Sequence, residues 1–390
     1  MESVYFLYNR VISRIETFTN HSNWKLRSVL LFTGLIFLVA FPSYDRFFTT
    51  NHDYYEFWQH LSRQVDHPFT QQTGLAPASH EAKTTFRLVA PLAGKLVGWI
   101  SPMAGVWFMF LVQHLLGFLF MHVVLTYAYR LTANRVTSFL FLGCLSCIYL
   151  TRSFFYELYG LFDGYAFAFI MLAVVARSPI QCMAALFFAF WTDERAIVAS
   201  PLVLLYQLSV ILPTYTFTDL LKQWKWYGSY VILIAVYAAL RFFLMSYFHL
   251  DVPLGDDADA GLSLIYRNIL ELPLATFLTY EGCWLIIGWL FVYYCYKRAW
   301  WEIVLYGSMT IVVWVVAGSV LDFTRSFCYG FPLLMLGFYE MTRHFTASQL
   351  QKYLFIVLTI SVMIPTYKYI GDFYWHVPAP LKLFYYVMNA

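Results

Sequence analysis

Apolar residues in this chain come in long runs rather than in the mixed pattern of a water-soluble core. Runs such as "VLLFTGLIFLVA" and "VWFMFLVQHLLGFLFMHVVL" are broken by short clusters of charge. The pattern predicts membrane-crossing helices near 28–42, 103–128, 136–150, 161–177, 179–191, 196–212, 227–248, 276–296, 300–320, 327–342 and 352–370. That is about eleven, several shorter than the ~20 residues that span a bilayer. The expected architecture is therefore all-α: one polytopic transmembrane bundle over 1–390. The run 86–101 contains Arg87, Pro91 and Lys95 and reads as an interfacial segment.

Two stretches carry a different periodicity. Val4, Leu7, Val11, Ile15 and Phe18 recur at helical spacing with Arg10 and Arg14 among them. This marks an inner interfacial helix within 1–26. In "DYYEFWQHLSRQ", Tyr54, Phe57, Trp58 and Leu61 fall at i, i+3, i+4 and i+7. That pattern predicts a helix lying flat on the outer leaflet, within a long first loop over 43–102, with its rings at headgroup depth.

Composition agrees. The chain is 61% hydrophobic and 12% charged, with mean hydropathy +0.61, against about 25% charged in a soluble domain. The net charge of +3 selects no partner, and no basic tract suggests nucleic acid. Charge distribution says more. With the N-terminus inside and the C-terminus outside, thirteen Lys/Arg and five acids fall on the inner side, leaving twelve and seventeen outside. This is the positive-inside bias. Cys144 and Cys147 form a CxxC, but within an apolar run. Hydrocarbon disfavours the thiolates that metal or redox chemistry needs, so they read as small packing residues.

The outer side gathers the unusual charges: Asp45, Asp53, Arg87, Arg152, Glu157, Asp163, Asp193, Glu194, Arg195, Glu281, Asp322 and Arg325. Arg241 is a mid-span exception. Many of these sit at the lip of an apolar helix, where an ionised group is costly unless it faces a wet cavity. For several a plain structural role is available. Asp53 suits an N-cap or first helical turn, and Asp45 marks the end of a span. Asp193 and Glu194 can pair with Arg195, and Asp322 with Arg325 three residues on. A catalytic role is equally open. A carboxylate can take a proton from an acceptor hydroxyl, while arginine forks stabilise a departing phosphate.

The order of these features resembles the GT-C class of polytopic glycosyltransferases, which use polyprenyl-phosphate-linked sugars. It is similar above all to bacterial GT-C-like membrane proteins. The shared features are a short inner segment and one span, then an outer loop opening with an Asp and a D-x3-aromatic helix (Asp53 to Phe57). An R-x3-P element (Arg87, Pro91), an acid at a tight outer turn (Asp193/Glu194) and a D-x2-R (Asp322, Arg325) follow. The chain lacks the Asp-Glu pair of protein O-mannosyltransferases, a W-W-D motif and a large soluble C-terminal domain.

The resemblance implies an inverting sugar transfer at the outer, periplasmic face of a bacterial inner membrane. Asp45 or Asp53 would be the base. Arg87, Arg325, Arg152 and Arg195 would contact phosphate, with Glu194, Asp193, Asp322 and Glu157 in support. The partners would be a lipid-linked sugar donor, a glycan or lipid-linked acceptor and membrane lipids, with no cofactor. Competing expectations are a polymerase or ligase acting on lipid diphosphates, and a transporter or assembly protein. The scattered His52, His60, His67 and His80 have no metal-ligand spacing.

Overall fold

The structure is a computed structural model that describes residues 2–40, 44–48, 53–70, 82, 84–212, 222–250, 261–364 and 367–389. It is 81% helix. Helices α1 (Glu2–Thr19) and α2 (Trp24–Val39) lead to α3 (Asp53–Asp66) and α4 (Val89–Gly98). A long α5 (Pro102–Thr132) follows. Ser101 caps it by accepting a hydrogen bond from Ala104 N, with Pro102 in the first turn where its missing N–H costs nothing. Its 31 residues reach about 46 Å at the usual rise per residue.

The middle of the chain is built from shorter helices: α6 (Arg135–Cys147), α7 (Tyr149–Tyr156), α8 (Asp163–Val174), α9 (Pro179–Phe190) and α10 (Arg195–Ile211). Then come α11 (Trp224–Phe248), α12 (Leu262–Arg267), α13 (Leu272–Tyr280), α14 (Trp284–Tyr296), α15 (Trp300–Gly318) and α16 (Phe323–Phe327). The chain finishes with α17 (Pro332–His344), α18 (Ala347–Met363), a hairpin of β1 (Tyr367–Tyr369) and β2 (Phe373–Trp375), and α19 (Ala379–Asn389).

Among the described residues four stretches are long and apolar enough to cross a membrane: α5, α11, α13 with α14, and α15. The pair α6 and α7, bent by 66°, makes a fifth if it counts as one span. The other apolar helices, α4, α8, α9, α10 and α18, have 10–17 residues. Several expected runs are divided. The run at 136–150 bends at Ile148, which is extended at φ −99°, ψ 166°. The run at 276–296 is broken at Glu281, where φ is +47°. The run at 352–370 leaves the helix after Met363 and enters the hairpin.

Helices α5 to α10, α17 and α18 form the packed centre, with Leu140, Phe141, Phe154, Phe167, Leu334 and Phe338 fully buried. Lipid would supply no hydrophobic drive between helices, so close approach matters instead. At Gly117 of α5 an added Cβ would sit 2.7 Å from Phe154 Cβ, so the two helices touch there without a side chain between them. Outward faces keep large apolar groups. Val231, Ile232 and Phe242 of α11 are each at least 64% exposed, as befits a surface meeting acyl chains.

Helix α3 departs from expectation. Its apolar face is turned to protein rather than to a leaflet. Trp58 is 2% exposed and its Nε1 donates to Leu158 O at 2.9 Å, while Leu61 and Val65 are buried beside it. Its ring stacks on Phe47 of the 3₁₀ turn Tyr44–Phe48.

Candidate functional site

The site forms where α9 ends and α10 begins. The turn between them holds Asp193 and Glu194, and its chain direction sends the two carboxylates to different neighbours. Leu88 N and Val89 N both donate to Trp191 O, which docks the start of α4 against this turn and brings Arg87 over it.

Asp163 supplies the centre. It opens α8, where a carboxylate also meets the positive end of the helix. The loop before it is held by Glu157, whose Oε1 accepts from Tyr159 N and Gly160 N and whose Oε2 accepts from Leu161 N and Phe162 N, at 2.7–3.3 Å. Asp163 Oδ1 accepts from Arg195 Nη2 at 2.8 Å and Tyr329 OH at 2.9 Å. Its Oδ2 accepts from Tyr149 OH at 3.1 Å. The side chain is completely buried.

Arg195 is the hub. Its Nε and Nη2 grip Asp193 at 2.8 and 2.6 Å, Nη1 donates to Ser326 Oγ at 2.7 Å, and the guanidinium lies 4.8 Å from the Tyr329 ring centre. A fork so fully used is the geometry that favours arginine over lysine. Arg325 sits between two acids, with Nε 3.3 Å from Asp163 and 3.1 Å from Asp322. These are ion-pair distances without hydrogen-bond alignment: Nε and Nη1 of Arg325 are buried and make no hydrogen bond among the described residues. Lys368, carried in by β1, lies 3.3 Å from Asp322.

The rim is more open. Arg87 Nη2 is 3.0 Å from Asp193, and its Nε is 3.9 Å from Glu194. Its Nε and Nη1 make no hydrogen bond among the described residues. Glu194, whose side chain is 30% exposed, also meets Arg241 at 3.4 Å. Arg241 donates to Tyr237 OH at 2.7 Å and covers the Phe86 ring at 4.2 Å, a cation–π contact. Thus the mid-span cation belongs to the same cluster.

Charge state follows from these partners. Burial alone would push the Asp193 carboxyl up, but Arg195 and Arg87 outweigh it and hold it well below the usual carboxylate range. Asp322 is held down in the same way: burial raises it, and Lys368, Arg325 and Arg195 more than compensate.

Of the residues expected from sequence, Arg87, Asp193, Glu194, Arg195, Asp322 and Arg325 come together. Asp193 pairs with Arg195 and Asp322 with Arg325, while Glu194 turns instead to Arg87 and Arg241. Glu157 is the anchor of a loop, its carboxylate used by four backbone N–H groups. Arg152 lies apart, with Nε donating to Ser146 O at 3.3 Å. The side chains of Asp45 and Asp53 fall outside the described residues. Asp163 was grouped with the outer charges but given no role, and Tyr149, Tyr329, Ser326, Arg241 and Lys368 were not anticipated as site residues. Tyrosine in so aromatic a chain carries no signal until its hydroxyl finds a partner. Among the described residues no cluster of three or more His, Cys, Asp or Glu is placed to hold a metal ion.

Comparison with protein-family models, curated proteins and solved structures finds no match. The fold and the site define the class: an all-helical chain with several helices long and apolar enough to span a membrane, consistent with an integral membrane protein, gathering a buried ion network between its helix ends.

Proposed function

We propose that this chain is a membrane glycosyltransferase of the GT-C kind. It would transfer a sugar from a polyprenyl-phosphate donor to a hydroxyl acceptor, with inversion, at the end of the bundle that carries Arg87 and Arg325. In this reading the shorter helices also cross the membrane, giving about eleven spans. The N-terminus lies inside and the network faces the periplasm of a bacterial inner membrane.

One observation supports it most. Five cations (Arg87, Arg195, Arg241, Arg325, Lys368) face four carboxylates (Asp163, Asp193, Glu194, Asp322). With all of them ionised, the cluster carries one positive charge to spare, which suits an anionic group. Arg87, at the rim, has the guanidinium nitrogens to receive it.

In the reaction, Asp45 or Asp53 takes the proton of the acceptor hydroxyl and the freed oxygen attacks the anomeric carbon. The bond from that carbon to the phosphate oxygen breaks, and the phosphate leaves with the electron pair against Arg87. Arg195 and Arg325 position Asp163, Asp193 and Asp322 rather than touch the sugar. A base of this kind contributes about 10²–10⁴-fold.

A second, non-enzymatic reading is favoured by the saturation of Asp163 and Asp193, each bound by arginine on more than one side. The two readings part at the first outer loop. Purified protein carrying Asp45→Asn and Asp53→Asn together should lose transfer of labelled sugar from a polyprenyl-phosphate donor. Transfer at the wild-type rate would reject the assignment of the base.

A further inference from the structure

Two breaks in membrane-capable helices meet at one place. The first lies between α6 and α7, and Arg152 follows it by one turn. The second is the 3₁₀ turn Glu281–Cys283 between α13 and α14. Irregular backbone is tolerated at membrane depth only where protein or a cavity receives it. Here a partly enclosed cavity, with room for about one water molecule, is lined by Arg152, Glu281, Tyr149, Tyr156 and His376.

Glu281 is 2% exposed, and its Oε2 has no hydrogen-bond partner among the described residues. It also holds φ +47°, a conformation that a side-chain-bearing residue adopts at a cost and that tends to mark functional positions. His376 is 6% exposed, and its Nδ1 likewise has no partner among the described residues. Burial, then the charges of Lys368 and Arg152, push the His376 imidazole down to about 3, so it is neutral. The Tyr156 ring meets it edge-on at 3.9 Å.

A buried carboxyl oxygen without a hydrogen bond is poorly placed to carry charge and takes a proton instead. An ionisable group inside a spanning segment is a functional candidate in its own right. We propose that Glu281 is a proton-binding carboxyl, exchanging its proton through a water held between it and His376. The groups that face it are Arg152, Tyr149 and Tyr156 from α7, His376 from the tail, and the thiols of Cys147 and Cys283. Helix α18 contributes the Ser361 hydroxyl, which accepts from Gly282 N at 3.1 Å. Tyr149 joins this cavity to the network, since the same residue donates to Asp163.

Proton binding at Glu281 does not depend on sugar transfer and is tested without it. A hydrophobic carbodiimide adds to a protonated carboxyl: the acid proton passes to nitrogen, and the carboxyl oxygen bonds the central carbon. The full chain in detergent is treated with dicyclohexylcarbodiimide and its peptides are mapped by mass spectrometry. The expected result is an adduct on Glu281 whose yield falls at least tenfold between about pH 6 and about pH 10, following the protonated fraction of a carboxyl whose charged form burial disfavours. Infrared spectra of the same protein should show a protonated-carboxyl carbonyl band over the same range, missing in Glu281→Gln. An unmodified Glu281 together with absence of that band overturns the proposal, as does an adduct yield that ignores pH.

Discussion

Arg195 Nη2 lies 2.8 Å from Asp163 Oδ1, and each residue is the first of its helix. The acid is favoured by the positive end of α8 and the cation is disfavoured by that of α10. The pair therefore offsets a local cost at one helix with a local gain at the other, and it ties two helix starts 32 residues apart.

Asp163→Asn should be the most destabilising conservative change in the cluster. It keeps the shape but leaves Arg195 and Arg325 with a counter-charge removed. Breaking a buried pair from one side typically costs about 3–5 kcal/mol. The thermal midpoint in detergent reads this out, with Asp66→Asn as the comparison, since Asp66 and its partner His67 are both exposed. Equal midpoints for the two variants would show that Asp163 does not hold the helix starts.

Arg87 and Arg325 should separate function from stability. Asp193 keeps Arg195 when Arg87 is lost, so Arg87→Gln should fold near normally. Loss of one charge-assisted contact of about 1.5–3 kcal/mol should weaken polyprenyl phosphate binding by about 10–150-fold. Arg325→Gln removes the cation between Asp163 and Asp322 and should lower the midpoint first. Competition binding and thermal melting of the two proteins side by side check this. The opposite ranking would place the phosphate contact elsewhere.

The loop 157–162 should open when its anchor is cut. Glu157→Ala strands four backbone N–H groups, so hydrogen exchange over 159–162 should accelerate strongly. Gly160→Ala should act on the same loop by another route. Gly160 has φ +101°, a conformation that costs a residue with a Cβ about 1–3 kcal/mol, and a Cβ there would lie 2.5 Å from Leu61 Cδ1, so the Leu61 side chain of α3 must shift. Exchange that speeds in 157–162 but not in 53–66 for Gly160→Ala would show that α3 docks without the glycine.

Acid should weaken the protein in two stages. His376 titrates near 3 when folded against 6.5 unfolded. The unfolded chain therefore binds the proton first, and stability falls as pH drops below about 6.5. Asp193 and Asp322 are held below the 3.8 of an unfolded carboxyl. The stability they lend is complete above about pH 4 and is lost as pH falls further. Midpoints measured against pH should show the first stage flattened in His376→Asn and the second unchanged. A single transition confined below pH 4 in the wild type would discount the histidine.

Much of the fold is written in apolar run length, and the all-helical class follows from it. The Asp193–Arg195 turn was legible because three charges interrupt two apolar runs without a spacer. Asp322 with Arg325 was legible because three residues bring two side chains to one helix face. What could not be read is which distant charge each would meet. Asp193 and Glu194 are neighbours, yet one is sealed under two arginines and the other faces the rim. Tertiary packing alone decides that. The break at Glu281 was hidden in an apolar run, with only Gly282 beside it as a hint. The hairpin 367–375 was hidden because its aromatic residues suit an interface as well as a strand. The amphipathic face of α3 was plain in the sequence, but periodicity cannot tell a protein neighbour from a lipid one.

The network also has an order in time. Arg87, Asp163, Asp193, Glu194 and Arg195 are made first, two cations against three acids. Ser326, which Arg195 also holds, lies 131 residues further on. At about 5–20 residues per second, Arg325 and its neighbours follow after roughly 7–26 seconds. Within that interval the early residues carry one acid in excess until Arg241, 47 residues after Glu194, balances it. The surplus cation enters only with Lys368, so the charge of the cluster runs from negative to positive as the chain lengthens.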